Sequence, residues 1–120
     1  MTAPTVITLR MSYPPSANRI WRNIGGRTIK SEVYRTWLTA VLGDVLIARC
    51  GRITGPYRLE VGARLPDRWR RDIDKLLKPT PDALGAADVI GDDSEALCVF
   101  AEWTGGTLKG GWLDVTVRAV

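Results

Sequence analysis

An α+β fold, with one mixed sheet carrying two helices on a face, is the class this 120-residue sequence predicts,. Three observations predict it. Apolar residues alternate with polar ones near the N-terminus and again in mid-chain, which is the period of a half-buried strand. Between them lies a stretch whose apolar residues recur at i and i+4, which is the period of a helix face. The elements then follow in the order strand, loop, helix, strand, charged segment, helix, strand, strand.

Residues 4–11 read as a strand, with Ile7, Leu9 and Met11 alternating with Thr8 and Arg10,. In YPPSANRIWRNIGGRTIKS, Pro14-Pro15 cannot continue a ladder, and Gly25-Gly26 mark a turn,. A basic loop of about 20 residues is expected there, and loops of that length are often functional. Ser31 reads as a helix N-cap with Glu32 in the first turn,. Val33, Trp37, Val41 and Val45 form one helical row, and Tyr34, Leu38, Leu42 and Leu46 form the next. Trp37 reads as core, and Gly51 as the stop,. Tyr57, Leu59, Val61, Ala63 and Leu65 share one face of a second strand, which Pro66 ends. Residues 95–103 and the final WLDVTVRAV read as an antiparallel hairpin joined by a glycine-rich turn,. No repeat or linker divides residues 1–120, so a single domain is expected,.

Composition narrows the chemistry. The net charge is +4, with 13 Arg against 4 Lys. Arginine's planar fork suits phosphate, although an Arg-rich composition alone also reflects genome base content. Placement carries more. Arg10, Arg19, Arg22, Arg27, Lys30 and Arg35 surround a single acid, Glu32, with Tyr13, Trp21 and Tyr34 interleaved, a nucleic-acid footprint,. The absence of histidine excludes Ser-His-Asp and Cys-His catalysis and HExxH zinc sites,. Any metal must therefore be held by oxygen, which means Mg²⁺, Mn²⁺ or Ca²⁺. Walker and GxGxxG loops are absent,. Cys50 and Cys98 fit no metal or redox spacing and read as reduced, partly buried thiols,. MTAPTVITLR has no basic stretch leading into an apolar one, and no apolar run is long enough to cross a bilayer,. A cytoplasmic protein is expected.

The segment RWRRDIDKLLKPTPDAL crowds Arg68, Arg70, Arg71, Lys75 and Lys78 against Asp72 and Asp74. Two acids two residues apart point the same way only in extended chain. Asp72 is therefore placed at the end of the loop after the strand, and Asp74 at or near a helix N-cap. Pro79 and Pro81 predict a break near Pro79, then a helix to about Leu84, with Asp82 turned off the Lys78 face. A second acidic pair, Asp92 and Asp93, follows Gly91, which allows a sharp turn. Singly, such a pair reads as a turn or cap and such a charge run as a solvated face. Jointly they suit an all-oxygen Mg²⁺ or Mn²⁺ site of the kind used in phosphodiester hydrolysis. Lys78 would stabilise transition-state charge or assist proton transfer, and the arginines would grip flanking phosphates.

PDRWRRDIDKLLKPTPDAL followed by VIGDDSEA, together with YPPSANRIWRNIGGRTIKSEVYRTW, resembles the RusA-type Holliday-junction resolvases of bacteria and their phages. The resemblance covers nearly the whole chain. It implies a small α+β homodimer that cuts four-way DNA junctions with Mg²⁺ by paired symmetric nicks. It places the family's catalytic aspartates on Asp72, Asp74 and Asp93 and its essential lysine on Lys78. Asp82 matches a further acidic position, read as supporting, and Asp92 is a further contributor. Lys75 occupies a position where the family often has Asn, and Pro81 one that is usually apolar. A four-way junction is approximately twofold symmetric, so a C₂ homodimer would supply matched active sites. DNA contacts are expected from Arg19, Arg22, Arg27, Lys30, Arg68, Arg70, Arg71 and Lys75. The competing readings are a non-catalytic module binding branched DNA and a nuclease acting on flaps.

Overall fold

The computed structural model describes residues 4–16, 21–67, 71–105 and 109–120, with backbone alone at 21–24, 27, 28 and 30. Its strands are β1 Val6–Met11, β2 Trp21–Ile24, β3 Arg27–Lys30, β4 Tyr57–Arg64, β5 Ala96–Trp103 and β6 Trp112–Ala119. The helices are α1 Glu32–Ala48 and α2 Pro79–Ala86. Two short 3₁₀ turns flank α2, Ile73–Leu76 before it and Asp93–Glu95 after it. Four strands make one mixed sheet in the order β1-β6-β4-β5. The α+β class read from the sequence is therefore the observed one.

One face of the sheet is buried and the other is open. Ile7, Leu9 and Met11, Leu59, Val61 and Ala63, and Leu113, Val115 and Val117 pack with Tyr34, Trp37 and Val41 of α1 and with Ala83 and Leu84 of α2. Fully burying such an aliphatic side chain contributes about 1.5–3 kcal/mol. Thr8, Arg10, Arg58, Glu60 and Asp114 lie exposed on the opposite face.

The expected hairpin of the last two strands does not form. β5 pairs parallel to β4, while β6 lies antiparallel between β4 and β1. The physical reason is burial. Leu113, Val115 and Val117 are all at most 1% exposed, which suits a central strand, whereas β5 carries exposed Leu97 and Phe100 and sits at the edge. A parallel neighbour needs a crossover connection, which α2 supplies.

Part of the basic stretch before α1, residues 21–30, forms a hairpin where a loop was expected. β2 and β3 pair antiparallel as a separate two-stranded sheet. Gly25 and Gly26 both have positive φ, 57° and 76°, as a tight two-residue hairpin turn requires,. Ser31 caps α1 as predicted, accepting from the Tyr34 amide at 3.2 Å. The helix ends at Arg49, in the left-handed region, rather than at Gly51. Trp37 is core, while Leu42 and Leu46 are exposed. Cys50 is half-buried, and Cys98 is exposed rather than partly buried. Among the described residues, no helix is long and apolar enough to cross a membrane.

Candidate functional site: two acidic turns and Lys78

The first acidic turn follows β4. Asp72 is extended, with φ −90° and ψ 127°, and Ile73–Leu76 then closes as a 3₁₀ turn. The Lys75 amide donates to the Asp72 carbonyl at 3.2 Å, and the Leu77 amide to the Asp74 carbonyl at 3.1 Å. Side chains three apart eclipse in such a turn. Leu76 is buried and Ile73 packs on the core, so this pair pins the turn while Asp72, Asp74 and Lys75 remain exposed. Among the described residues, neither Asp72 nor Asp74 has a side-chain hydrogen-bond or ion-pair partner. Only Asp72 is in extended chain. Asp74 lies in the first turn of that 3₁₀ helix, two residues past its cap, Asp72, and so near a helix N-cap as expected.

Lys78 immediately precedes α2. Pro79 and Pro81 fall in the helix's first turn, where backbone N–H groups lack intrahelical partners, so they start the helix instead of kinking it,. Starting at Pro79 places Asp82 one turn beyond Lys78 on the same side. The two form an ion pair at 3.3 Å, contrary to the expectation that Asp82 turns away.

The second acidic turn completes the cluster. Asp93 Oδ2 lies 3.3 Å from Lys78 Nζ. The Ser94 amide donates to Asp92 Oδ1 at 3.0 Å and holds that carboxyl below its ordinary pKa. Hydrogen bonds to Asp93 first, and then to Asp82, raise the Lys78 pKa, so it is an ammonium at neutral pH. Gly91 does not adopt positive φ. A Cβ there would meet only the movable end of the Glu95 side chain, Oε1 at 2.7 Å. Tyr57, fully buried at the start of β4, has its hydroxyl pKa raised by burial first and then by the negative charges of Asp93, Asp92 and Glu95.

The structure thus brings together Lys78, Asp82 and Asp93. It sets Asp72 and Asp74 on the neighbouring turn, and among the described residues no three acids gather closely enough to share a metal ion. The chemistry of the donors, exposed carboxylate oxygens without nitrogen or sulfur ligands, suits a hard divalent cation. Arg71 is described, clamped by Asp67 through Nη2–Oδ2 at 2.7 Å and Nε–Oδ1 at 3.3 Å. Arg22, Arg27 and Lys30 lie on β2 and β3. Arg19, Arg68 and Arg70 fall outside the described residues. Sequence reading missed the Asp67–Arg71 pairing and the nearness of Tyr57 to the second acidic turn. The i, i+4 spacing of Asp67 and Arg71 was a usable signal, but nothing local marks Tyr57.

Fold and site define a small α+β protein with an oxygen-rich, lysine-bridged cluster at its surface. No family model matches the chain. It is 30% identical over 113 residues to the crossover junction endodeoxyribonuclease RusA of Shigella sonnei, with 92% of each chain covered. It is 29% identical to RusA of Escherichia coli K12, again over 92% of each chain. It is 31% identical to the crossover junction endodeoxyribonuclease of Enterobacteria phage 82, over 91% of each. The chain belongs to the RusA crossover junction endodeoxyribonuclease family.

Proposed function

We propose that this protein is a divalent-metal-dependent endodeoxyribonuclease that resolves four-way DNA junctions by paired symmetric nicks, in recombination and repair inside the bacterial cell. The observation that carries the reading is the Lys78–Asp93 contact, which joins the end of the RRDIDKLLK segment to the GDD turn in a chain related to RusA along 92% of its length.

Asp72, Asp74 and Asp93 would hold Mg²⁺ or Mn²⁺. When bound, such an ion activates water and offsets phosphate charge. Lys78, whose pKa is raised by Asp93 and Asp82, would offer its positive charge to the phosphate as negative charge builds in the transition state, or assist proton transfer,. Asp82 holds its ammonium in place. Arg71 and Lys75, with Arg68 and Arg70 beside them in sequence, would hold flanking phosphates, and Arg19, Arg22, Arg27 and Lys30 would extend that contact. A homodimer supplies the two sites that paired nicks need. Exposed Leu46 and Ile47 on α1, and Leu97 and Phe100 on β5, offer apolar surface for one.

Purified protein should cut a mobile four-way junction in Mg²⁺ or Mn²⁺ and leave a flap and a linear duplex intact. Sedimentation should return twice the chain mass. Preferential flap cutting would move the activity to another branched structure. A second reading, a binding module without catalysis, draws on the ungathered carboxylates and on Lys75 beside them. Salt-sensitive junction binding with no nick under any divalent ion would establish it.

A further inference from the structure

A cleft of 550 Å³ opens next to the first acidic turn. Tyr13, Pro14, Pro15, Trp37, Pro66 and Arg71 line it. Its walls are held in place. Trp37 Nε1 donates to the Ser12 carbonyl at 2.9 Å, and Asp44 Oδ2 accepts from the Ser12 amide and hydroxyl at 2.8 and 2.9 Å. The two prolines have fixed φ. The Arg71 guanidinium lies 5.7 Å from the centre of the Tyr13 ring. Asp67 engages Arg71 through Nε and Nη2, which leaves Nη1 for another acceptor. Burial raises the Tyr13 pKa, so its ring is neutral at physiological pH.

Flat rigid walls beside one arginine match the face of a nucleobase and the phosphate attached to it. Chain position adds to this, because Arg71 directly precedes Asp72. We propose that this cleft takes one unpaired nucleobase of branched DNA against the wall that Tyr13 and the two prolines form, while Arg71, which lies over the Tyr13 ring, holds an adjoining phosphate. The inference rests on the nuclease reading and deepens it. A base at a branch point has lost a stacking neighbour, so drawing it out costs less than in a continuous duplex. Seating it would set which phosphate faces Asp72, a source of register that needs no groove readout.

The test uses the full chain in EDTA, so that no strand is cut, with four-way junctions carrying 5-iododeoxyuridine at single positions near the branch. Irradiation should join Tyr13 to the probe at one branch position, and Tyr13→Phe should retain the crosslink. An abasic nucleotide at that position should weaken binding by about tenfold, the size of one lost base–aromatic stack. Tyr13→Leu should be nearly indifferent to the abasic change. The comparison of intact and abasic junctions needs only the wild-type chain, so it stands even if Tyr13→Leu does not fold. Equal binding of intact and abasic junctions, or crosslinks spread evenly along the arms, would overturn the proposal. So would loss of self-association in Tyr13→Leu with no crosslink, which would assign the cleft to a second copy of the chain. Metal-dependent cleavage without base dependence removes the cleft and keeps the nuclease. Base dependence and the crosslink without any cleavage do the reverse.

Discussion

The turn at Ile73–Leu76 and the turn at Asp93–Glu95 are both single 3₁₀ turns abutting α2, yet their carboxylates are employed differently. In the second turn, Asp92 caps the Ser94 amide and Asp93 meets Lys78. These acids have protein partners, and part of their work is to hold the turn. In the first turn, Asp72 and Asp74 are exposed without a side-chain partner among the described residues, and the buried Leu76 fixes the turn instead. An acid that stabilises its own fold has a structural reason to be there. One that is held in place by a neighbouring leucine while its charge stays free has its reason elsewhere, and a cation facing DNA is the one proposed above.

Breaking the first turn's chemistry should therefore cost activity without cost to the fold. Asp74→Asn is expected to lower junction cleavage by about 10²–10³-fold. Its melting temperature should stay within about 1–2 °C of wild type, as for a surface change that removes no contact. Lys78→Ala should lower cleavage by about 10²-fold, and Lys78→Arg should recover part of that. Because the Lys78 pKa is raised above 10.5 in the fold, its stabilising contacts are fully present below pH 10.5 and fade as pH rises through the folded value,. Melting curves of wild type and Lys78→Ala should converge only in strong alkali. Leu84→Ala, at a position with no exposure, should destabilise the protein by about 2–5 kcal/mol in urea titrations and loosen both turns together,. The smallest effect belongs to Asp92→Ala, which loses the Ser94 cap. The Asp92 pKa is lowered from 3.8, so its contribution is present above that value and is lost as pH falls through the folded one,. A small drop in melting temperature at neutral pH that vanishes in acid checks this.

Much of the fold was legible because alternation and helical periodicity report directly which face is buried. β1, β4 and the capped α1 follow from Ile7, Leu9 and Met11, from Tyr57 to Ala63, and from Ser31. Pairing was less legible. WLDVTVRAV has the same period whether it pairs with the strand before it in sequence or inserts between β1 and β4, and the choice is made by tertiary burial of Leu113, Val115 and Val117. The Lys78–Asp82 contact was missed because proline was read as a breaker, whereas in the first turn of α2 it breaks no hydrogen bond,. Asp93's nearness to Lys78 spans 15 positions, and no local rule brings the two together; only the joint pattern of two acidic segments with a lysine, and then the family resemblance, put them in one site. Tyr57's nearness to the acidic turn arises from the parallel register of β4 and β5, in which Tyr57 pairs with Ala96.

Cleavage of an end-labelled synthetic four-way junction, in Mg²⁺ and in EDTA, by wild type and Asp72→Asn, tests the central claim most directly. Wild type is expected to give paired, symmetric nicks in Mg²⁺ and none in EDTA, and Asp72→Asn none, with junction binding equal or tighter because a carboxylate facing phosphate is gone. Full cleavage by Asp72→Asn, or nicks by wild type that persist in EDTA, would contradict that claim.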